Sequence, residues 1–206
     1  MMMVMQGDRF SMNQQIQNFQ TTLNQYRSMT NPIAMDQFLA KSIAVVVTGN
    51  NDYLNNYLMP ALYRSSFNYS AQQFGNLLVN NFGQQILVNW IEHLLYLLVF
   101  GMLKNWLVLD EELIWKMLQA LHNLGLRKFF LAGIGPLGCI PNIRASGFAP
   151  VGRCVDLVNQ IVGFFNEGLR SMVEQLNRDH PDSIFTYANT YHVLGDVLNN
   201  PARYRK

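Results

Sequence analysis

A short run of β-branched residues places the strongest constraint on the fold of this chain. Residues 43–47 have the sequence Ile-Ala-Val-Val-Val, and the turn-rich loop 48–52 follows at once. A continuous apolar run of this kind predicts a strand buried on both faces, as in parallel sheets that lie between layers of helices. With 206 residues, half of them hydrophobic, the chain is long enough for one domain with a sizeable core.

Strands and helices alternate along the rest of the chain. Apolar runs at 128–133 and 183–188 predict two further strands. Apolar residues at helical spacing predict helices at 12–29, around Met35, after Ser70, from Val158 to Leu176 and at 190–199. Capping boxes are indicated at two helix starts, by Ser11 with Gln14 and by Ser70 with Gln73.

This alternation predicts an α/β domain with a parallel sheet. Ligand sites in such sheets lie beyond the carboxyl ends of the strands. Two loops occupy that position here, residues 48–56 and residues 134–152, and we expect any functional site to include them.

The first loop offers a side chain for stabilising an oxyanion. At the end of a strand, the amide of Asn51 can donate a hydrogen bond to an oxygen that gains negative charge in a transition state. The alternative is that Asn51 and Asp52 only form an Asx turn or cap the next helix. Spacing alone favours that structural role.

The second loop contains a glycine pattern that matches a dinucleotide-binding fingerprint. Residues 133–138, Gly-Ile-Gly-Pro-Leu-Gly, fit G-x-G-x-x-G, and Asp156 lies near the position of the ribose-binding acid. The fingerprint requires a helix that begins among the glycines and binds the pyrophosphate. Pro136 and Pro141 flank the place where that helix should run, so a tight structural loop is the favoured interpretation.

A nucleophile with its base is not found in these 206 residues. Neither G-x-S-x-G, nor G-D-S, nor Asp-x-x-His occurs in the sequence. None of the four histidines stands in a motif with an acid, and we expect structural or solvent-facing roles for His93, His122, His180 and His192. Spacings typical of metal ligands are also missing, so neither a metal nor a cofactor is predicted.

Residues 88–119 differ in amino-acid composition from their surroundings. All three Trp residues lie there, and Leu is dense. Joining Leu87 directly to Ala120 keeps the apolar helical spacing in phase, which suggests an insertion, such as a translated intron. The alternative is an ordinary extra pair of helices. The longest apolar stretch, 94–103, falls well short of the roughly 20 residues of a membrane span, so a transmembrane helix is rejected.

Charge and the first residues exclude some classes of function. Charged residues make up only 14% of the chain, the net charge is +2, and no basic cluster stands out, which argues against nucleic acid as a partner. The first ten residues have neither a charged region nor an apolar run of the kind found in signal peptides.

Several separated segments together resemble the plant GDSL esterase/lipase family, a branch of the SGNH hydrolases. They are residues 42–60, which contain Gly-Asn-Asn-Asp-Tyr, residues 128–142, which contain Gly-Pro-Leu-Gly-Cys, and the stretches 152–177 and 183–204. The resemblance implies a three-layer α/β/α flavodoxin-like fold and hydrolysis of carboxylic esters or lipids without a metal. It also implies that Asn51 is an oxyanion donor, that Gly49 shapes its loop and that Asp52 supports the loop.

The departures from the family pattern limit what this chain is expected to do. The family's G-D-S block and second block would precede residue 1, and its Asp-x-x-His block would follow residue 206. The resemblance therefore implies one partial domain over 1–206, incomplete at both ends, with 88–119 inserted, and no esterase activity above background. The alternatives are a non-catalytic pseudoenzyme or gene-model fragment and, second, a nucleotide-binding α/β domain.

Two further features follow from the resemblance. The family is commonly secreted, which would permit a disulfide between Cys139 and Cys154 and glycosylation of Asn68 in the sequon Asn68-Tyr69-Ser70. An extracellular location is therefore expected for the family, whereas a chain without a signal peptide would stay in the cytoplasm with free thiols.

Overall fold

The structure is a computed structural model, and it describes residues 12–80, 113–146 and 154–205. The helices are α1 (Met12–Met29), α2 (Pro32–Lys41), α3 (Asn50–Asp52), α4 (Ser65–Asn68), α5 (Ala71–Asn80), α6 (Leu113–Asn123), α7 (Pro141–Arg144), α8 (Asp156–Asp179) and α9 (Thr190–Asn199). The strands are β1 (Ile43–Val47), β2 (Lys128–Ala132) and β3 (Ile184–Ala188). A π-helical turn covers Tyr53–Tyr57, and 3₁₀ turns cover Leu137–Cys139 and Pro201–Tyr204.

The three strands form one parallel sheet in the order β1-β2-β3. Val45 lies opposite Phe130, which in turn lies opposite Thr186. The predicted α/β fold with a parallel sheet is therefore confirmed. Among the described strands, β2 is central and β1 forms an edge.

One face of the sheet is the core of the molecule. Val46, Phe129, Leu131 and Phe185 point to this face and are all buried. The rings of Phe129 and Phe185 stack across neighbouring strands with centroids 4.6 Å apart. Because successive residues of a strand point to opposite faces, the neighbours of these residues point the other way.

The opposite face is open in the part of the chain that the structure describes. Ile43, Val45 and Val47 are 63%, 65% and 60% exposed, and Ile184 is 58% exposed. The prediction that the first strand is buried on both faces is therefore wrong for these residues. The physical reason is that the described helices that pack on the sheet cover only the face of Phe129.

Helix α8 covers that buried face. Its predicted apolar stripe is confirmed by a row of buried residues at helical spacing: Val158, Val162, Phe165, Leu169, Met172, Val173 and Leu176. Helix α5 approaches α8 closely at Gly75, where a Cβ atom would lie 2.9 Å from the backbone nitrogen of Phe165. Glycine at this position lets the two helix backbones meet.

One of the two predicted capping boxes lies within the described residues. At the start of α5, Ser70 N donates to Gln73 Oε1 at 2.8 Å and Gln73 N donates to Ser70 Oγ at 3.2 Å, which confirms that capping box. The other capping box includes Ser11, which lies outside the described residues. Among the described residues, no helix is both long enough and apolar enough to cross a membrane.

Most of the segment 88–119 also lies outside the described residues. Its last part belongs to α6, where Met117 and Leu118 are buried in the core. The insertion at 88–119 stays a prediction.

Candidate functional site

The chain turns sharply at Gly49, directly after β1. Gly49 has φ +92°, a left-handed conformation that residues with a Cβ atom rarely adopt. A Cβ atom there would also lie 2.8 Å from Ile134 Cδ1 and 3.0 Å from Phe165 Cζ. Both the backbone conformation and the packing therefore require glycine at the point where α3 begins.

Asn51 lies on the first helical turn after Gly49 and is exposed. Its Oδ1 accepts a hydrogen bond from Asn55 Nδ2 at 3.3 Å. This contact engages the oxygen of the Asn51 side-chain amide. Asp52 lies in the same turn, where a negative charge interacts favourably with the helix dipole.

Tyr53 anchors this loop in the core. It is fully buried and makes edge-on ring contacts with Tyr57, Phe74 and Phe165. Burial, together with the nearby Tyr57 and Asp52, raises the pKa of the Tyr53 hydroxyl well above its ordinary value, so the phenol stays neutral. That hydroxyl has no hydrogen-bond partner within the described ranges.

The glycine-rich loop after β2 is held by asparagines of α8. Asn166 Oδ1 accepts from Ile134 N at 2.6 Å, and Asn166 Nδ2 donates to Ile134 O at 2.8 Å. Further along, Gly138 N donates to Asn159 Oδ1 at 2.8 Å. These backbone N–H groups are therefore engaged within the protein.

The same loop lacks the geometry of a dinucleotide site. A 3₁₀ turn, Leu137–Cys139, and the four-residue helix α7 follow its glycines, and the next long described helix starts at Asp156. A Cβ atom at Gly138 would lie 2.2 Å from Val155 O, so this glycine serves close backbone packing. The interpretation as a structural loop agrees with this arrangement, and the nucleotide-binding alternative gains no support from it.

A disulfide bond closes the loop. Cys139 and Cys154 are joined across a sequence separation of 15 residues. Beside it, Val155 N donates to Gly138 O at 2.9 Å, so a covalent and a hydrogen bond connect the same two segments.

A histidine and an acid meet at the opposite end of the sheet. His122 precedes β2 and Asp182 precedes β3, and His122 Nε2 lies 3.1 Å from Asp182 Oδ2. Burial opposes ionisation of Asp182, but the hydrogen bond from His122 and the charges of His122 and Arg127 outweigh it, so the pKa of this carboxyl is lowered. The pair leaves no local signature in the sequence because 60 residues separate its members.

This pair cannot act on a substrate at Asn51. A five-residue strand separates the two ends of the sheet by roughly 13 Å, far beyond hydrogen-bonding distance. Of the other residues of interest, His192 is exposed on α9 and Asn68 is exposed at the end of α4, as a glycosylation acceptor would be. His93 lies outside the described residues.

Comparison with known proteins decides the family. The family model described as GDSL-like lipase/acylhydrolase matches residues 109–202. A protein of Arabidopsis thaliana named GDSL esterase/lipase At1g71250 is 46% identical over 198 residues, which cover 96% of this chain and 44% of the relative. The chain belongs to the GDSL esterase/lipase family.

Two other relatives of Arabidopsis thaliana agree with this assignment. GDSL esterase/lipase At5g08460 is 38% identical over 96% of this chain and 44% of its own length. GDSL esterase/lipase At1g29670 is 37% identical over 96% of this chain and 46% of its own length. The present GDSL family member thus spans less than half the length of these relatives. The region matched by the family model, residues 109–202, does not include Asn51.

Proposed function

We propose that residues 49–52 form the oxyanion-binding loop of a hydrolase that acts on carboxylic esters, including lipid esters. Asn51 is the donor in this proposal, Gly49 gives the loop its shape, and Asp52 supports it. The observation that carries the proposal is the exposed Asn51 amide at the carboxyl end of β1, with its oxygen engaged by Asn55.

The geometry suits an oxyanion donor for two reasons. The loop rests on the buried Tyr53 and on the Gly49 turn, so the amide is held in place before a substrate arrives. A fixed donor needs little reorganisation during the reaction, and removal of one such donor typically lowers kcat by about 10²–10³-fold.

A complete reaction also requires a nucleophile and a base, which we propose are supplied from outside these 206 residues. The described His122–Asp182 pair lies at the wrong end of the sheet for this purpose, and the chain contains no G-D-S or Asp-x-x-His sequence. The 206-residue chain alone should therefore hydrolyse esters no faster than background.

The disulfide supports a location in an oxidising compartment. Disulfides persist mainly in secreted and extracytoplasmic proteins, because cytosolic thiols are kept reduced. We therefore propose extracellular function, with Asn68 as a candidate glycosylation site.

A non-catalytic role is the second candidate, and one observation favours it. A groove of about 900 Å³ lies between α1, α2 and β1, and most of its lining is apolar. In this alternative the chain binds lipids or partners through exposed apolar surface and performs no hydrolysis.

A chimera tests the first proposal. This chain replaces the matched segment of the 46% identical Arabidopsis relative, and turnover of a short-chain nitrophenyl ester is measured. We expect Asn51→Ala to lower kcat by about 10²–10³-fold with little change in KM, because the donor acts mainly in the transition state.

Asn24→Ala, at an exposed position on α1, is the control and should retain turnover within a few-fold. Equal losses from both substitutions would contradict the role of Asn51. Hydrolysis by the parent relative but not by the unsubstituted chimera would favour the non-catalytic alternative. Turnover by the 206-residue chain alone, abolished by Asn51→Ala, would refute its predicted inactivity.

A further inference from the structure

Two histidines and one aspartate, residue types that can ligate a metal ion, meet at the amino end of the sheet, away from the proposed oxyanion loop. His122 lies in the last turn of α6, His180 follows the end of α8, and Asp182 precedes β3. One ligand atom from each residue lies within 4.8 Å of the other two. They converge because α6 and α8 each return to the sheet at the same end.

We propose that His122, His180 and Asp182 form a binding site for Zn²⁺. Two imidazole nitrogens and one carboxylate oxygen are a ligand set that zinc accepts, with a fourth position left for water or another ligand. Mg²⁺ and Ca²⁺ need mostly oxygen ligands, so this set discriminates against them.

One of the three ligand pairs, His122 with Asp182, already has the spacing of a tetrahedral site. Zinc bonds of about 2.0–2.1 Å place two ligand atoms roughly 3.3 Å apart. His122 Nε2 is 3.1 Å from one oxygen of Asp182 and 3.4 Å from the other. The ligand atom of His180 lies within 4.8 Å of the other two ligand atoms. It would therefore move toward them by at most about 1.5 Å to reach the tetrahedral spacing.

Arg127 supports the carboxylate in this arrangement. Its Nε lies 3.1 Å from Asp182 Oδ2, while its Nη1 donates to the backbone oxygens of His122 at 2.7 Å and Leu126 at 2.8 Å. The guanidinium is thus fixed by backbone contacts and remains a hydrogen-bond donor to a ligating carboxylate. Such donors orient the ligands of metal sites.

Apolar side chains form one wall of the site. Leu118, Leu176 and Phe185 line a small cavity together with both histidine rings. The ring centroids of His122 and His180 are 5.2 Å apart, so the two rings already face one region of space. A bound ion would connect the α6–β2 turn to the α8–β3 turn.

Zinc titration of the 206-residue chain tests this proposal. After treatment with a chelator, binding of Zn²⁺ is measured by calorimetry, and the melting temperature is recorded with and without the ion. We expect one Zn²⁺ per chain with micromolar affinity, a higher melting temperature with Zn²⁺, and no response to Mg²⁺.

His180→Gln should weaken zinc binding at least about tenfold and remove the thermal shift. His192→Gln, at an exposed position on α9, is the matched control and should bind like the unsubstituted chain. His122→Gln provides a second variant at the site, with circular dichroism as the measure of folding. Spectra of bound Co²⁺ should show nitrogen and oxygen ligands.

Three outcomes would overturn the proposal. They are an absence of zinc binding at micromolar concentrations, equal binding by the unsubstituted chain and His180→Gln, and loss of binding in His192→Gln. The first would show that His122, Asp182 and Arg127 form an ion-pair network only.

Discussion

The two faces of the sheet differ sharply although the same three strands form both. Phe129 is 2% exposed and stacks on Phe185, whereas Phe130, the next residue, is 39% exposed on the other face. The open face carries Ile43, Val45 and Val47, which are as apolar as the residues of the buried face. The strand sequence is therefore suited to two layers of helices, and the described helices provide one.

The contrast between the buried and exposed faces of the sheet shows which part of the chain contributes most to stability. Burial of apolar area is the main favourable contribution to folding, and it is concentrated where α5, α6 and α8 meet the sheet. The proposed oxyanion loop rests on this covered side through Tyr53, Ile134 and Phe165. Its geometry can persist even where the other face remains open.

The largest expected effect tests the contrast between neighbouring phenylalanines. Phe129→Ala should lower the free energy of unfolding by about 3–5 kcal/mol, because it leaves a cavity in the covered face. Phe130→Ala should cost about 1 kcal/mol or less, since this ring is already partly solvated. Urea unfolding followed by circular dichroism measures both, and equal losses would contradict the assignment of the two faces.

A smaller effect is expected from a polar contact on the covered side. Asn166→Ala removes both hydrogen bonds to the Ile134 backbone and should cost about 2–3 kcal/mol, because buried N–H and C=O groups lose their partner. Asn200→Ala, which removes an amide that donates to the partly exposed carboxyl of Asp196, is the control and should change stability by less than about 0.5 kcal/mol. Thermal melts measure both variants. Equal losses of stability in Asn166→Ala and Asn200→Ala would contradict a stabilising role for the Asn166–Ile134 hydrogen bonds.

The smallest effect concerns the exposed end of α9, outside the core. A hydrogen bond from Tyr204, and then one from Asn200, hold the pKa of the Asp196 carboxyl below its usual 3.8. Tyr204→Phe should raise this pKa toward the usual value, which NMR titration of the carboxyl carbon measures. An unchanged pKa would show that this contact does not persist in solution.

The sign of the pH dependence follows from the lowered pKa. Its contribution to stability is present above the pKa of the unfolded chain and is lost as the pH falls through the folded pKa. The melting temperatures of the parent and Tyr204→Phe should therefore differ at neutral pH and converge in acid.

Local features of the fold were predictable from the sequence. β-Branched composition predicts β1 with its observed bounds, helical spacing predicts the stripe of α8, and the Ser70–Gln73 pattern predicts the start of α5. These signals work because strand periodicity, helix periodicity and capping depend on neighbours a few residues apart. Burial of both faces of β1 was predicted wrongly, because burial depends on which distant helices pack there.

The two candidate sites also differ in how far the sequence predicts them. Gly49 and Asn51 stand two residues apart in one motif, so their position after β1 was predictable. The contact of His122 with Asp182 was not, because two separate helix-to-strand turns bring them together. The signal that could have found them is positional, since both turns precede strands of one parallel sheet.

Helix α8 contains two asparagines whose side chains form hydrogen bonds with the backbone of two different segments. Asn166 binds Ile134 beyond β2, and Asn177 binds both Phe185 N at 2.9 Å and Phe185 O at 2.8 Å within β3. Their spacing is close to three full helical turns, so both amides project from the same side of the helix. One residue added or removed between them would rotate one amide by about 100° relative to the other. The length of α8 therefore keeps both asparagines in register with the segments that they bind, and a one-residue insertion or deletion between them would break that register.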